Sequence, residues 1–251
     1  MRVVFLGTAS AIPAPHNGYT SLVVEIGSFQ ILIDTGDNPV KALLECSVDP
    51  KGLDAVVLTH THVDHLGAFP SLISALDCMK RSKPLTVVGE KGTLHTAQSL
   101  LKHFPLDIPS LSFPLVYTDR IQEDGFILSL REGRHAVPTS MVYLESSFLR
   151  LLYTSDYCYG DTVTSPGGPV DILIHEATYP HAKFPPGKSH SSALQAGIAA
   201  RESKARMVFL CHFEVDAYKR LEDAGLEARR EFEGEVIVPR LQTWYTIPDS
   251  P

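Results

Sequence analysis

Short apolar runs, broken by glycine, proline and small polar residues, alternate along this chain with stretches whose apolar residues recur every three or four positions. Arg2-Val3-Val4-Phe5-Leu6 predicts a buried strand, ended by the loop Gly7 to Pro13. Ser21–Ile26 and Phe29–Ile33 flank Gly27-Ser28, a two-residue hairpin turn with glycine first. Pro39–Cys46 predicts a short helix and Leu53–Leu58 a strand. Apolar residues at Leu66, Phe69, Leu72, Ile73, Leu76 and Met79 predict one amphipathic helix from Leu66 to Met79. A strand over Pro84–Gly89 and a helix from Gly92 to about Phe104 follow. The proline-interrupted stretch Leu106–Tyr117 matches neither period. Strands are then predicted over Phe126–Leu130, Met141–Glu145, Phe148–Asp156, Val170–Ile174 and Ala205–Leu210, with an Ala-rich helix running through Arg201. Glu214 onward predicts a helix, a strand over Glu235–Val238 and a terminal hairpin partner over Trp244–Pro248.

One stretch of this pattern is unusual. Directly after Ala55-Val56-Val57-Leu58 comes Thr59-His60-Thr61-His62-Val63-Asp64-His65-Leu66-Gly67, with three histidines and an aspartate within six positions. In extended chain, residues two apart share a face, so His60 and His62 are expected to project together. Asp64 and His65 fall where the chain turns into the next helix and face a second point nearby. Imidazole nitrogens and a carboxylate in this arrangement suit two divalent metal ions, zinc first, with manganese or iron as alternatives.

Composition narrows the picture. The 251 residues, 44% hydrophobic and 20% charged, support one folded domain over 1–251 and leave little room for disorder. A net charge of −7 argues against a generally basic nucleic-acid-binding surface. The four cysteines form no CxxC pair, which fits a reducing, cytoplasmic setting. The first apolar run is too short for a signal peptide or a membrane span, so no membrane association is expected. Of the eleven histidines, His95 and His103 lie in a predicted helix without ligand-type neighbours and read as structural or solvated.

HxHxDH resembles the signature of the metallo-β-lactamase superfamily, and further segments resemble its ribonuclease Z-like branch. These are the opening MxVxFLGTxSAxP, Gly133-Arg134-His135-Ala136-Val137-Pro138-Thr139-Ser140, Tyr153-Thr154-Ser155-Asp156, His175-Glu176-Ala177-Thr178, Ser189-His190-Ser191 and Cys211-His212-Phe213. The resemblance spans nearly the whole chain. It implies an α/β fold of four layers, αβ/βα, with two mixed sheets between helices. It implies His60, His62 and His135 at one ion, Asp64, His65 and His212 at the other, and Asp156 bridging them. Asp161, in Gly160-Asp161-Thr162, is the rival for that bridge; Asp156 is preferred because it closes an apolar strand. Asp34 is either a turn or cap residue or, as in the superfamily, a hydrogen-bonding support for the metal loop. His190 is expected to act on the scissile phosphate, the competing reading being that this segment only dresses a helix N-terminus, with Ser189 or Ser191 as the cap. Asp64 is expected to orient or deprotonate the attacking water as well as ligate.

The activity so implied is metal-dependent hydrolysis of a phosphodiester, with a hydroxide held between the ions as nucleophile. The alternative is hydrolysis of a carbonyl substrate, a lactone, thioester or β-lactam, by the same ions. A non-enzymatic metal-carrying role is the third reading. Two departures bear on substrate. The arginine that ribonucleases Z carry shortly after the His-Phe pair is absent from Glu214-Val215-Asp216-Ala217-Tyr218. The long tRNA-gripping arm between the positions of His135 and Asp156 is also missing, since Asp156 follows His135 by only 21 positions. The expected substrate is therefore a small phosphodiester or a nucleic acid, with tRNA 3′ processing less expected than cleavage of a smaller phosphodiester or an unidentified substrate. A homodimer is expected by analogy.

Overall fold

The computed structural model describes residues 1–104, 106, 108–160, 169–185, 187 and 189–248. Two mixed seven-stranded sheets face each other. The first holds β1 (Arg2–Gly7), β2 (Ser21–Ile26), β3 (Phe29–Ile33), β4 (Ala55–Leu58), β5 (Leu85–Gly89), β6 (Leu115–Thr118) and β14 (Trp244–Thr246), in the order β14-β1-β2-β3-β4-β5-β6. The second holds β7 (Arg120–Glu123), β8 (Phe126–Glu132), β9 (Ser140–Ser146), β10 (Arg150–Tyr153), β11 (Ile172–Glu176), β12 (Met207–Cys211) and β13 (Glu235–Ile237), in the order β13-β12-β11-β10-β9-β8-β7. In both sheets a run of parallel pairs (β3-β4-β5-β6 and β10-β11-β12-β13) adjoins an antiparallel run.

The alternation of each strand fixes the layers. Val3, Phe5, Ala55 and Val57 pack inward with Leu128, Val142, Leu151, Ile172 and Phe209 of the opposite sheet. The residues between them, Val4, Val56 and Leu58, face outward onto α1 (Pro39–Glu45), α3 (Phe69–Cys78) and α4 (Lys91–His103). Leu152, Leu173 and Val208 face α5 (Ala193–Glu202) and α6 (Glu222–Ala228). The expected four-layer αβ/βα architecture is the one observed. Among the described residues, no helix is long and apolar enough to cross a membrane. No disulfide is formed among the described residues.

Several elements differ from expectation. The helix predicted over Leu66–Met79 is two: α2 (Val63–Leu66), then α3 from Phe69. Pro70 sits in the first turn of α3, where its missing N–H is tolerated, and the Ala68 N–H donates to the Thr35 carbonyl at 2.9 Å instead of continuing a helix. The strand predicted over Phe148–Asp156 ends at Tyr153, leaving Asp156 three residues beyond. The proline-interrupted stretch contributes β6, and β7 was not predicted. β13 and β14 are not a hairpin: β13 runs parallel to β12, and β14 pairs antiparallel with β1 in the other sheet. The cap of α5 is Ser192, in a capping box with Gln195, and neither Ser189 nor Ser191 fills that role.

Candidate metal centre

Chain ends of both sheets meet at one rim. His60 stands two residues past β4, Asp156 three past β10, His212 directly after β12, and His135 in the loop between β8 and β9. His62 is the N-cap residue of α2, which turns Asp64 and His65 toward the same point. Asp34, Ser155 and His212, each at or just past a strand end, take φ of 62°, 54° and 56°. Left-handed backbone is costly for such residues and persists where neighbours hold it. For Asp34 the holders are its N–H on the Val57 carbonyl and its own carbonyl accepting from Ser21 Oγ, both at 2.9 Å.

The predicted residues are brought together. Ligand-type atoms of His60, His62, His135 and Asp156 lie within 4.8 Å of one another, as do those of Asp64, His65 and His212, and those of Asp156, His190 and His212. In the first cluster His62 Nδ1 stands 3.1 Å from His60 Nε2 and 3.2 Å from His135 Nε2. Asp156 divides its oxygens. Oδ2 faces His135 Nε2 at 3.5 Å and His60 Nε2 at 3.8 Å. Oδ1 faces His212 Nε2 at 3.1 Å and His65 Nε2 at 3.2 Å. Asp64 Oδ2 lies 3.6 Å from both His65 Nε2 and His212 Nε2. Asp161 lies outside the described residues. His103 bonds its own helix at the Ser99 carbonyl, and His95 joins no cluster among the described residues.

The partners of the other ring nitrogens fix the tautomers. His135 Nδ1 faces the Ser189 carbonyl at 2.7 Å and His65 Nδ1 faces Asp34 Oδ2 at 2.8 Å, and both partners only accept. Thr59 Oγ1 gives its proton to Asp34 Oδ2 at 2.9 Å, so at 3.0 Å it accepts from His60 Nδ1. Thr178 Oγ1 gives its proton to Glu176 Oε2, so at 3.1 Å it accepts from His212 Nδ1. In their neutral form these four imidazoles therefore carry the proton on Nδ1 and aim an Nε2 lone pair inward. Burial opposes charge on His65, but Asp156 and Asp34 outweigh it and push its imidazolium well above the usual range where no cation competes for Nε2. His65 Nε2, His212 Nε2 and Asp156 Oδ1 are buried with no hydrogen-bond partner. Buried polar atoms are seldom left so. Lone pairs converging from imidazoles and carboxylates are the donor set a divalent cation satisfies, and these residues fit one.

Titration follows the crowding. Burial, with His65 beside it, pushes the His60 imidazolium down to about 2. Burial opposes ionisation of Asp156, but His212 and His65 overcome it and hold the carboxyl well below the usual range. Burial also opposes charge on His190, yet the Glu176 carboxylate, 3.3 Å from Nδ1, raises it to about 9. The His190 ring stacks on His212 with centroids 5.2 Å apart, at the edge of a cavity of about 510 Å³ that opens over the centre.

Glu176 and Thr178 received no role from the sequence. The fully buried Glu176 accepts from the N–H groups of Tyr157 and Ser191 and from Thr178, and it also holds His190. The signal was there in His-Glu-Ala-Thr, a histidine and a glutamate closing a strand that is apolar up to Ile174. Asp34 resolves as the hydrogen-bonding support, reaching Thr59 N–H as well as Thr59 Oγ1 and His65.

Residues 15–212 match the Metallo-beta-lactamase superfamily, and the chain belongs to it. Within that superfamily it is 25% identical over 303 aligned positions to the ribonuclease Z of Thermococcus kodakarensis, covering 97% of this chain and 96% of the relative. Among solved structures, the metallo-beta-lactamase fold protein YhfI of Bacillus subtilis superposes with a TM-score of 0.84 at 21% identity, covering 97% of this chain and 98% of that one. The short form of human tRNase Z superposes with a TM-score of 0.80 at 20% identity, covering 99% and 100%.

Proposed function

We propose that this chain, acting as one domain over residues 1–251, is a metal-dependent hydrolase of phosphodiesters. In this reading His60, His62, His135 and Asp156 hold one divalent ion, and Asp64, His65, His212 and Asp156 hold a second, zinc in the first instance. Bound there, such ions supply Lewis acidity toward a phosphoryl oxygen and bring the pKa of a water to about 7. The observation that carries the reading is a convergence: in four histidines Nδ1 is engaged by an acceptor, which leaves each Nε2 turned toward one of the two oxygens of Asp156.

The remaining residues divide the work. Glu176 engages His190 at Nδ1, which leaves Nε2–H for the substrate. A charged His190 there gives its proton to the leaving oxygen or holds a phosphoryl oxygen. Asp64 orients the attacking water as well as ligating in this reading, which its distance of 3.6 Å from both His65 and His212 supports.

Substrate size follows from what joins His135 to Asp156. The interval is filled by β9 and β10 and their turns, with no room for a projecting arm. The alignment to the Thermococcus relative runs over 303 positions against 251 residues here, so that relative carries insertions this chain lacks. Both points favour a compact phosphodiester over a tRNA precursor.

The test is hydrolysis of bis-p-nitrophenyl phosphate by protein loaded with zinc or manganese, beside His190→Ala. Wild type is expected to turn over. The variant is expected to lose about 10²- to 10⁴-fold in kcat on a diester with an alkoxide leaving group, and less on a nitrophenolate, which needs no proton. A fully metallated protein that cleaves no activated phosphodiester would reject the proposal and direct the search to lactones and thioesters.

A further inference from the structure

Beside the centre lies a larger cavity of about 1080 Å³, walled by β8, the loop Gly133 to Thr139 and the start of α4. His135 and Ala136 line both this cavity and the mouth over the centre, so the two spaces adjoin. At its other end Asp119, Leu130 and Arg131 lead on into a hollow of about 350 Å³. A space this size stands at the upper edge of the range of small-molecule sites, about 300–1,000 Å³, and the proposed reaction gives it no task.

Its walls carry Lys91, Arg131 and Arg134. None of the ion pairs formed among the described residues uses any of the three. Three acids share the walls. Glu90 is already engaged, capping α4 through the N–H groups of Gly92 and Thr93. Asp119 lies at the far end, where the next hollow begins. Glu132, at the end of β8, is exposed, as are Lys91, Arg131 and Arg134 themselves, so that it is the one acid of the three left to compete for them.

Arg134 is set apart from the other two cations. It directly precedes His135, and its carbonyl accepts the Cys158 N–H at 2.6 Å, two residues past Asp156. Its backbone is thus tied to two of the three segments that deliver residues to the first cluster, those of His135 and Asp156. Its guanidinium crosses Gly160 so closely that a Cβ there would stand 1.8 Å from Nη1. The absence of a side chain at 160 is what lets the arginine lie across the loop. An arginine so held, with no carboxylate partner among the described residues, offers a planar fork suited to a phosphate.

We infer that this cavity receives a second phosphoryl group of the substrate, with Arg134 as the residue that selects for it. The inference rests on the reading of the centre as a phosphodiester hydrolase and narrows its substrate class. The diester cleaved carries a further phosphate beside the bond broken, as in a nucleotide ester that also bears a 3′-phosphate.

Two measurements test it. The first compares kcat/KM of the zinc-loaded protein on the p-nitrophenyl ester of thymidine 5′-phosphate and on the same ester with a 3′-phosphate. The phosphorylated ester is expected to be preferred by about tenfold or more, chiefly through KM. Arg134→Ala is expected to erase the preference while leaving bis-p-nitrophenyl phosphate within about twofold of wild type. Gly160→Ala, which displaces the guanidinium without removing it, is expected to reduce the preference partway. The second is calorimetric binding of thymidine 3′,5′-bisphosphate and thymidine 5′-phosphate to the metal-free protein. The bisphosphate is expected to bind about tenfold tighter, and Arg134→Ala to equalise the two.

Equal kcat/KM for the two esters, or an equal loss on every substrate in Arg134→Ala, overturns the inference while leaving the reading of the centre intact. If no phosphodiester is cleaved, that reading fails, and the binding measurement decides on the subsite alone. A bisphosphate preference that depends on Arg134 then upholds it, and equal binding overturns it.

Discussion

Asp34→Asn isolates one link in the centre with almost no change of shape. The carboxylate accepts three hydrogen bonds: Thr59 N–H on Oδ1 at 2.9 Å, Thr59 Oγ1–H on Oδ2 at 2.9 Å, and His65 Nδ1–H on Oδ2 at 2.8 Å. An asparagine must replace one oxygen by a donating nitrogen. At the Oδ1 position that nitrogen would oppose a backbone N–H, which cannot turn away. At the Oδ2 position it meets two groups that can adapt. The Thr59 hydroxyl can swing its proton toward Ser155 Oγ, 2.9 Å away, and His65 can move its proton from Nδ1 to Nε2. The second orientation is the cheaper one, and it places a hydrogen where a lone pair faced Asp156 Oδ1.

The expected effect is therefore selective. The cluster of Asp64, His65 and His212 loses one of its donors, whereas His60, His62 and His135 keep theirs. Loss of such an orienting partner typically weakens metal binding 10- to 100-fold, or about 1.4–2.7 kcal/mol. Competition with a chromophoric chelator, followed across both equivalents of zinc, reads this directly. Wild type and variant should differ in one binding step and agree in the other, with matching far-ultraviolet dichroism to show the fold intact. Equal weakening of both steps, or weakening of neither by more than about threefold, would refute the tautomer argument. Asp34→Ala is the coarse control: it leaves Thr59 N–H buried and unpaired, which adds about 1–3 kcal/mol of lost stability on top of the binding defect.

Three further outcomes are expected. Stripping the ions with a chelator should lower Tm by roughly 5–10 °C in a scanning calorimeter, because ligand at 100 times Kd contributes about 2.7 kcal/mol and a chain this size shifts about 2–4 °C per kcal/mol; an unchanged Tm would mean the ions do not bind the folded centre. Gly36→Ala places a Cβ 1.5 Å from the Asp64 carbonyl oxygen, a backbone atom that cannot step aside; a loss above about 3 kcal/mol in urea melts, together with loss of metal, is expected. Arg81→Ala should cost about 3–5 kcal/mol, since this fully buried guanidinium donates to the carbonyls of Lys51, Leu53, Lys83 and Pro84; a variant whose midpoint in urea matches wild type would show that water satisfies those carbonyls instead.

How much of this was legible in the sequence depends on how far each signal had to reach. HxHxDH is local: six positions after an apolar strand carry four donors, and their placement follows from a strand ending in a turn. His135, Asp156 and His212 are lone residues in their own segments, and only resemblance to a family joined them to the centre. Arg81 carried no signal at all, because what buries it is a ring of carbonyls contributed by two loops some thirty residues apart. The break between α2 and α3 was masked by an apolar period that runs through it unbroken. What ends α2 is the Thr35 loop, which takes the Ala68 N–H from outside the helix. β13 and β14 were readable as strands but not as partners, since β propensity does not say which edge a strand joins. The same limit applies to Glu176, visible as a glutamate closing a strand that is apolar up to Ile174. Its function of aligning His190 directly and His212 through Thr178 depends on two distant segments that reach it. The donors of this centre are thus written locally, and the groups that fix their protons are mostly written elsewhere in the chain. That is why substitution of the supporting residues, more than of the ligands, tests whether the centre is understood.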